Sequence, residues 1–539
     1  MGIPSYYKKL VECVPGLVKS SLVGNVHSFY LDFNCLIYHC LHRPSMIAYE
    51  GHEHKEHYEE HLLREIVAYV KQLVAYVNPQ HFVYLAVDGV VPMAKIRQQR
   101  LRRFKSVVVA EFEESIGKRE GVSWDTNAIT PGTAFMKKLH DRLHTLCAQQ
   151  SVGGQLLWKV SSAAEPGEGE HKIMDLLRKY KFMDYKVPLQ NNIVVYGLDA
   201  DLIVLSMLIK KHLPEDCNVY LCRESMEFGS VVYNKQNVES YHYLDIQALT
   251  IEILKNKSLW VSKNQALHDY CYSMSLLGND FLPHSFTLHL QEHGHDRLLE
   301  MLRHVWDTTK KPLVDEDTYS WDYNQLQIAF TWLAQREESW YLRFIKKSLK
   351  ERYAPYVPKT GEPWEKEYEM WNRSPSRLCD IQLFYKYEHD TLQPNWKELY
   401  YSRYMGVTYN SGDHKHVLQN YLYGLQWVTN YYEGRNVCKS WYYPWFVPPL
   451  WKCLGQEKVI SHYIPIIHEK PIQDYEQLIM VLPQKSWNLV PYKYKDLPKK
   501  APQYWPTGFE YFMAGRRFMW NCEARIPILS VHRLRSFMR

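Results

Sequence analysis

Two carboxylates one residue apart, Asp199 and Asp201, follow a short β-branched run, Ile193-Val194-Val195-Tyr196. Such a run reads as a buried strand. Acids at its end are costly to desolvate without a partner. Two readings stand for the pair taken alone: ligands of a divalent cation, or an N-cap for the helix from Leu202 onward. What decides between them is whether other strands deliver acids to the same place. Phe29-Tyr30-Leu31 ends in Asp32, with Asn34 two residues on, and the apolar run His81–Val87 ends in Asp88. Glu168 and Glu170 open a helix after the strand Gln155–Ser161, and Asp280 opens a loop after a helix. In an open parallel sheet the C-terminal strand ends face one crevice. Asp32, Asp88, Glu168, Glu170, Asp199, Asp201 and Asp280 can therefore meet at one edge. Like charges raise one another's pKa, so such a cluster requires cations. Oxygen donors favour the hard ions Mg²⁺ or Mn²⁺. Two such ions roughly 3.5–4 Å apart suit phosphodiester hydrolysis, one activating water and one stabilising the leaving oxygen.

A basic helix adds direction. Pro92 opens the stretch that contains KIRQQRLRRFK. Lys95, Gln99, Arg102 and Arg103 stand at i, i+4, i+7 and i+8, which is one helical face. An anion pocket is favoured over a solvated basic helix, because Arg binds phosphate oxygens bidentately. Arg97 and Arg100 fall on other faces, toward a strand or solvent. His52, His54, His57 and His61 lie in EGHEHKEHYEEH. They read as a solvated helix face rather than a metal site, since no second cluster closes one.

The elements that must position these residues alternate between strand and helix. Pro4–Val14 is a short amphipathic helix, Cys35–Leu41 looks helical, and His61–Val77 is a helix stopped by Asn78-Pro79. Further helices run from Phe135 to about Gln149 and from Glu168 through Tyr180, and Val219–Cys222 is a fifth strand. A helix marked by Leu267, Tyr270, Cys271, Met274 and Leu277 ends at Gly278. The pattern is α/β, with a mostly parallel central sheet flanked by helices. Beyond roughly residue 310 the texture changes. Of 17 tryptophans, all but Trp124, Trp158 and Trp260 lie from Trp306 onward. Trp332–Lys347 and Lys415–Tyr432 read as helices, and the charged, Pro/Gly-punctuated stretch Glu351–Arg377 as a linker.

The 539 residues leave room for two to four domains; 46% apolar and 23% charged content is that of a globular protein. No run is long enough for a membrane helix and no signal peptide stands at the N-terminus, so an intracellular protein is expected. Eleven cysteines without a C-x-x-C read as reduced thiols. The net charge of +6 is compatible with nucleic acid without identifying it.

Several blocks together resemble the Xrn family of 5′→3′ exoribonucleases. They are MGIPSYYKKL at the start, LDFN (31–34), AVDGVVPMAKIRQQRLRRF (86–104), ITPGTAFM (129–136), EPGEGEHKIMDLLR (165–178), YGLDADLIVLSM (196–207) and LLGNDFLPH (276–284). YLYGLQWVTNYY (421–432), SWYYPWFVPPL (440–450), YEQLIMVLP (475–483) and YWPTGFE (504–510) extend the likeness through most of the chain. The resemblance implies a PIN/flap-endonuclease-like nuclease domain over 1-345, a linker over 346-380, and a second, mainly helical segment over 381-539 packed against the first. It implies that the seven acids hold the metal, two Mg²⁺ or Mn²⁺ ions. Lys95, Gln99, Arg102 and Arg103 would hold the 5′-monophosphate of single-stranded RNA and exclude capped or triphosphate ends. Nucleoside 5′-monophosphates would be released processively.

Where the family usually carries a base-stacking His, this chain has Tyr38, with His39 next; Tyr38 can stack as well. The family's stacking Trp aligns more weakly with Trp520. The chain stops near the end of the second segment, which points to a compact, divergent or virus-encoded version. A cytoplasmic monomer supplied by decapping factors is the expectation, with the nucleus as the alternative. Two rival functions remain: a flap-type nuclease on DNA, which needs a helical arch, and a catalytically inactive RNA-binding scaffold, which would lack a metal acid.

Overall fold

The computed structural model describes residues 6–152, 154, 156–180, 191–197, 199–227, 230–233, 238–255, 257–352, 361–378, 380–456 and 470–538. Apolar strands alternate with helices through the first half. In chain order they are α1 (Tyr6–Cys13), β1 (Val18–Lys19), β2 (Val26–Asp32), α2 (Phe33–Cys40), α3 (Lys55–Val77), β3 (Pro79–Ala86), α4 (Met93–Ser115), α5 (Ala134–Ser151), β4 (Leu157–Ser161), α6 (Gly169–Arg178), β5 (Asn192–Tyr196), α7 (Asp201–Ile209), β6 (Asn218–Glu224) and β7 (Tyr241–Asp245). The sheet order is β1-β7-β6-β5-β2-β3-β4. The five strands from β6 to β4 are parallel, and β7 and β1 close one edge antiparallel. The expected mostly parallel sheet is therefore present. Its antiparallel edge carried no signal that the sequence reading used.

Side chains alternate across the sheet, as the period of a strand requires. Tyr30, Tyr84, Ile193, Val195 and Leu221 face a core shared with α6, α7 and α9 (Lys263–Ser273). Phe29, Leu31, Val83, Leu85 and Val194 face a second core under α2, α3 and α5. β2 and β5 are buried along their whole length, so both central strands are dry up to the acids at their ends.

The second half is mainly helical: α8 (Ile246–Leu254), then α9, α10 (Gly294–Thr309), α11 (Tyr323–Arg352), α12 (Glu365–Asn372), α13 (Ser374–Leu378), α14 (Trp396–Met405), α15 (Gly412–Tyr432), α16 (Trp451–Gln456), α17 (Asp474–Val481), α18 (Leu497–Lys500) and α19 (Val531–Phe537). Many of its aromatic residues are core, while Trp260, Tyr387, Tyr492 and Trp520 are exposed. Tyr421, Leu425 and Trp427 of α15 belong to the same cluster as Ile203 and Leu205 of α7. A third cluster joins Ile96, Leu101 and Phe104 of α4 to Leu478–Leu482 and Leu529. No helix among the described residues is long and apolar enough to cross a membrane. None of the described cysteines forms a disulfide.

Some boundaries move. α3 begins at Lys55 rather than His61, and His52, His54 and His57 are exposed. α11 begins at Tyr323 rather than Trp332, because the Asp322 carboxylate accepts from the amides of Asn324 and Gln325 (2.9 and 3.3 Å) and caps it. The stretch read as a linker carries α12 and α13, and Trp371 stacks on Phe112 of α4 at 4.7 Å. Residues 353–360 of that stretch lie outside the described residues, as do Pro4 and Ser5 of the first expected helix.

Candidate active site

The acids gather where the parallel strands end. β2 ends on Asp32, and Asp88 follows β3. Asp201 is the first residue of α7, whose N-cap position is Ala200, without a side-chain cap. The capping reading of the 199/201 pair is thus not the one adopted. Glu168 precedes α6 and Glu170 lies in its first turn.

Two loops are pinned together to bring these elements close. The Gly89 amide donates to Gly167 O (2.9 Å) and the Gly167 amide to Val90 O (2.8 Å). The Asp88 amide donates to Asn34 Oδ1 (3.1 Å), and the Gly169 amide to Asp88 Oδ1 (2.6 Å). Position 169 admits no larger residue. A Cβ there would stand 2.4 Å from Asp32 Oδ1 and 2.6 Å from Ala86 O. Buried Lys172 ties the strand ends from behind, donating to Val87 O (2.6 Å) and Ser162 O (2.9 Å). Burial pulls its pKa down to about 8.

The electrostatics are those of crowded, dry acids. Burial, then Asp88 and Asp199, push Asp32 well above the usual carboxylate range. Burial raises Asp88 and Glu168 as well. Burial and the Glu168 charge push Glu170 well up, and burial with Asp280 takes Asp201 to about 8. Asp280 is the exception: burial is the largest influence and works upward, but the surrounding positive charges, Lys95 first and Arg102 among them, together hold this carboxyl low. Lys95 Nζ contacts Glu168 and lies 2.7 Å from Asp280 Oδ2. Tyr431 OH donates to Glu168 Oε1 (2.7 Å). Glu170 Oε2 and Asp201 Oδ1 are buried and accept no hydrogen bond among the described residues.

Hard anionic oxygens left unpaired in a buried cluster fit a divalent cation. Glu168, Glu170 and His171 bring one donor atom each within 4.8 Å of one another. His171 adds a nitrogen donor that the oxygen-only reading had left out. It is held neutral, chiefly by burial, and packs on Tyr431 with ring centroids 4.0 Å apart.

The basic face of α4 meets this cluster. One cavity of about 140 Å³ is lined by Asp32, Asp88, Glu168, Glu170, Asp199 and Asp280 together with Lys95, Gln99, Arg102, Arg103, Asn34 and Tyr38. Asp201 lies buried outside that lining. Gln99 is positioned by Gln477 of α17, whose Nε2 lies 3.4 Å from Gln99 Oε1 and whose Oε1 accepts from the Val91 amide at 2.9 Å. Arg103 is held by Thr130 Oγ1 and Ile129 O. The Arg102 guanidinium has no hydrogen-bond partner among the described residues.

Tyr38 lines the cavity while His39 turns away to Glu239 (3.2 Å) and packs on Tyr69. Trp520 is not in this cavity; it is 57% exposed, stacks on Phe518, and lines a wider neighbouring cavity. Arg97 and Arg100 reach neither strand nor solvent, and instead bind carbonyls of the second segment. Sequence reasoning assigned no role to Gln477, Tyr431 or Lys172. All three sit inside blocks that carried the family resemblance, the only signal that marked them.

Comparison with known proteins agrees with this geometry. Residues 1–224 match the family model described as XRN 5'-3' exonuclease N-terminus, and residues 389–539 match the Xrn1 helical domain. The human 5'-3' exoribonuclease 1 is 27% identical over 100% of this chain and 34% of its own length. The Saccharomyces cerevisiae 5'-3' exoribonuclease 1 is 25% identical over 100% of this chain and 43% of its own. The Drosophila melanogaster 5'-3' exoribonuclease 2 homolog is 25% identical over 94% of this chain and 65% of its own. The chain thus spans less than half the length of the first two relatives. With both characteristic segments matched in order, and with α4, β2, β3, α6 and α7 all inside the first of them, the chain belongs to the Xrn family of 5′→3′ exoribonucleases.

Proposed function

We propose that the chain is a metal-dependent 5′→3′ exoribonuclease that removes nucleoside 5′-monophosphates processively from 5′-monophosphorylated single-stranded RNA. One observation supports this reading: six of the seven carboxylates and the basic face of α4 line a single cavity, with Asp201 buried behind it. Asp32, Asp88, Glu168, Glu170, Asp199, Asp201 and Asp280 would hold divalent cations, two Mg²⁺ or Mn²⁺ in number. Such ions, when bound, supply a nucleophilic water and charge stabilisation at the leaving oxygen.

The chain's own residues supply the rest. Arg102 and Arg103 bind the terminal phosphate, with Gln99 held toward it by Gln477 and Arg103 by Thr130. Lys95 occupies the boundary between acids and phosphate, so it neutralises whichever side lacks a cation. Tyr38 offers a ring to the first base, and Trp520 a second ring further out. The burial of the acids excludes bulk water and strengthens each charge interaction there. Residues 1-345 would form the nuclease domain and 381-539 the segment that walls it. The monomer suffices for all of these contacts. Substrates with the required end are the products of decapping enzymes.

The test uses one 3′-labelled RNA bearing either a 5′-monophosphate or a 5′-triphosphate, with Mg²⁺, with Mn²⁺ and with EDTA. Metal-dependent loss of the monophosphate RNA alone, without a ladder of long intermediates, is the expected result. Equal loss of both RNAs, or internal cuts, would favour a flap-type or endonucleolytic enzyme. Binding without any loss would favour a scaffold.

A further inference from the structure

α4 has a second working face. Arg97, Gln98, Leu101, Arg102 and Lys105 stand at i, i+1, i+4, i+5 and i+8, and they line a separate cavity of about 430 Å³. Arg102 and Asp280 line this cavity and the acidic one alike, so the two are neighbours across a single helix. The volume lies in the range that holds a small organic ligand, about 300–1,000 Å³.

The lining is built for an anion with a flat apolar part. Its cations are Arg97, Arg102, Lys105 and Arg516, and its acids only Asp280 and Glu523. Arg97 is 8% exposed and forms no salt bridge among the described residues, Glu523 acting on it only from a distance; its Nη2 donates to Trp445 O at 3.3 Å, and its guanidinium lies over the Phe446 ring at 5.2 Å. A buried guanidinium without an anion is an expensive arrangement. Arg97 Nε, Gln98 Oε1, His289 Nε2 and Arg516 Nε are all buried with no hydrogen-bond partner among the described residues, and all four residues line this one cavity. Donors and an acceptor therefore wait on its wall. Trp445 supplies a ring.

The geometry points to a binding site for a nucleoside 5′-monophosphate, the product of the proposed reaction, in the cavity beyond α4. This rests on the exonuclease reading. A processive enzyme keeps its strand in place between turnovers, so the mononucleotide needs a route that the strand does not fill. Arg102 contacts both cavities and can pass the phosphate from one to the other. Arg97 and Arg516 then receive the phosphate while Trp445 receives the base, and Trp520 at the rim stays with the strand.

The experiment titrates AMP and, in parallel, adenosine into the full chain in EDTA, by calorimetry, with and without a saturating 5′-phosphorylated octanucleotide. AMP is expected to bind with the oligonucleotide in place, and adenosine not to. Arg97→Met and Arg516→Met should each weaken that AMP binding by about tenfold, the worth of a charge-assisted hydrogen bond. Oligonucleotide affinity and single-turnover removal of the first nucleotide should stay within about twofold of wild type. Should Arg97→Met melt early, Arg516→Met decides. Displacement of AMP by the oligonucleotide would assign the cavity to the strand and overturn the proposal, as would unchanged AMP affinity in both variants. Failure of the wild-type chain to hydrolyse RNA is scored separately and counts against the exonuclease reading itself.

Discussion

Each site carboxylate is tuned by what surrounds it, and single substitutions separate the roles. Asp199→Ala should abolish cleavage while RNA binding measured in EDTA persists; substantial turnover in this variant would remove the acid cluster from the chemistry. Arg102→Ala should cut the preference for monophosphate over hydroxyl ends by about 10- to 100-fold, matching about 1.5–3 kcal/mol for a bond between charged groups. Competition between the two RNAs measures it. The raised acids also set a pH dependence. Asp201 titrates near 8 in the folded chain and in the ordinary carboxylate range when unfolded. Its contribution to stability is therefore present at low pH and lost as pH rises toward 8. A bound cation favours the ionised form and reverses that loss. The rise in Tm caused by Mg²⁺ should accordingly be larger at pH 8 than at pH 6. A rise independent of pH would mean that the metal binds elsewhere.

At the scale of elements, the site exists because strand ends and helix starts are packed at van der Waals limits. Gly169 lets α6 begin against Asp32 and the end of β3, where a Cβ would overlap Asp32 Oδ1 and Ala86 O. Gly169→Ala must move α6 or the carboxylate. It is expected to lower kcat by about 100-fold, as a displacement near 1 Å can, with little change in the affinity for the 5′ end. Wild-type kcat in this variant would show that the loop absorbs the change. α4 is the other decisive element. Its strong helix formers carry it unbroken from Met93 to Ser115. One face then serves the acids and the next face the second cavity.

Across the whole molecule, the second segment is structural to the site. Arg100 is fully buried and donates to carbonyls of Met480 (2.7 Å), Pro527 (3.2 Å) and Tyr504. Arg100→Ala strands these carbonyls and releases α17, whose Gln477 sets Gln99. It should destabilise by about 3–5 kcal/mol, the cost of buried carbonyls left without a donor together with the cavity left by the side chain. The midpoint of urea denaturation tests this, and Arg100→Met, which keeps the stem packed, should recover only part of it. A midpoint shifted by less than about 1 kcal/mol would mean that α17 is held by its apolar contacts alone.

Much of this was written in local sequence. The periods of the strands and helices, the acids at the strand ends and the i, i+4, i+7, i+8 face of α4 depend only on neighbours in the chain, so the parallel sheet and the cavity's main lining were legible there. The block order carried the family. Other features depend on residues hundreds of positions apart. Gln477 behind Gln99, Tyr431 on Glu168, and the anchoring of Arg97 and Arg100 in the second segment have no periodic signature, because a hydrogen bond across the fold leaves no trace in either local pattern. The same holds for β7, which pairs antiparallel at the sheet edge, and for the choice of Tyr38 over His39 at the cavity. Sequence determined which charges the chain would bring to one edge. Only tertiary packing decided how dry that edge is, which acids stay unpaired, and that α4 divides one cavity from another, since desolvation and enclosure are properties of the assembled surfaces.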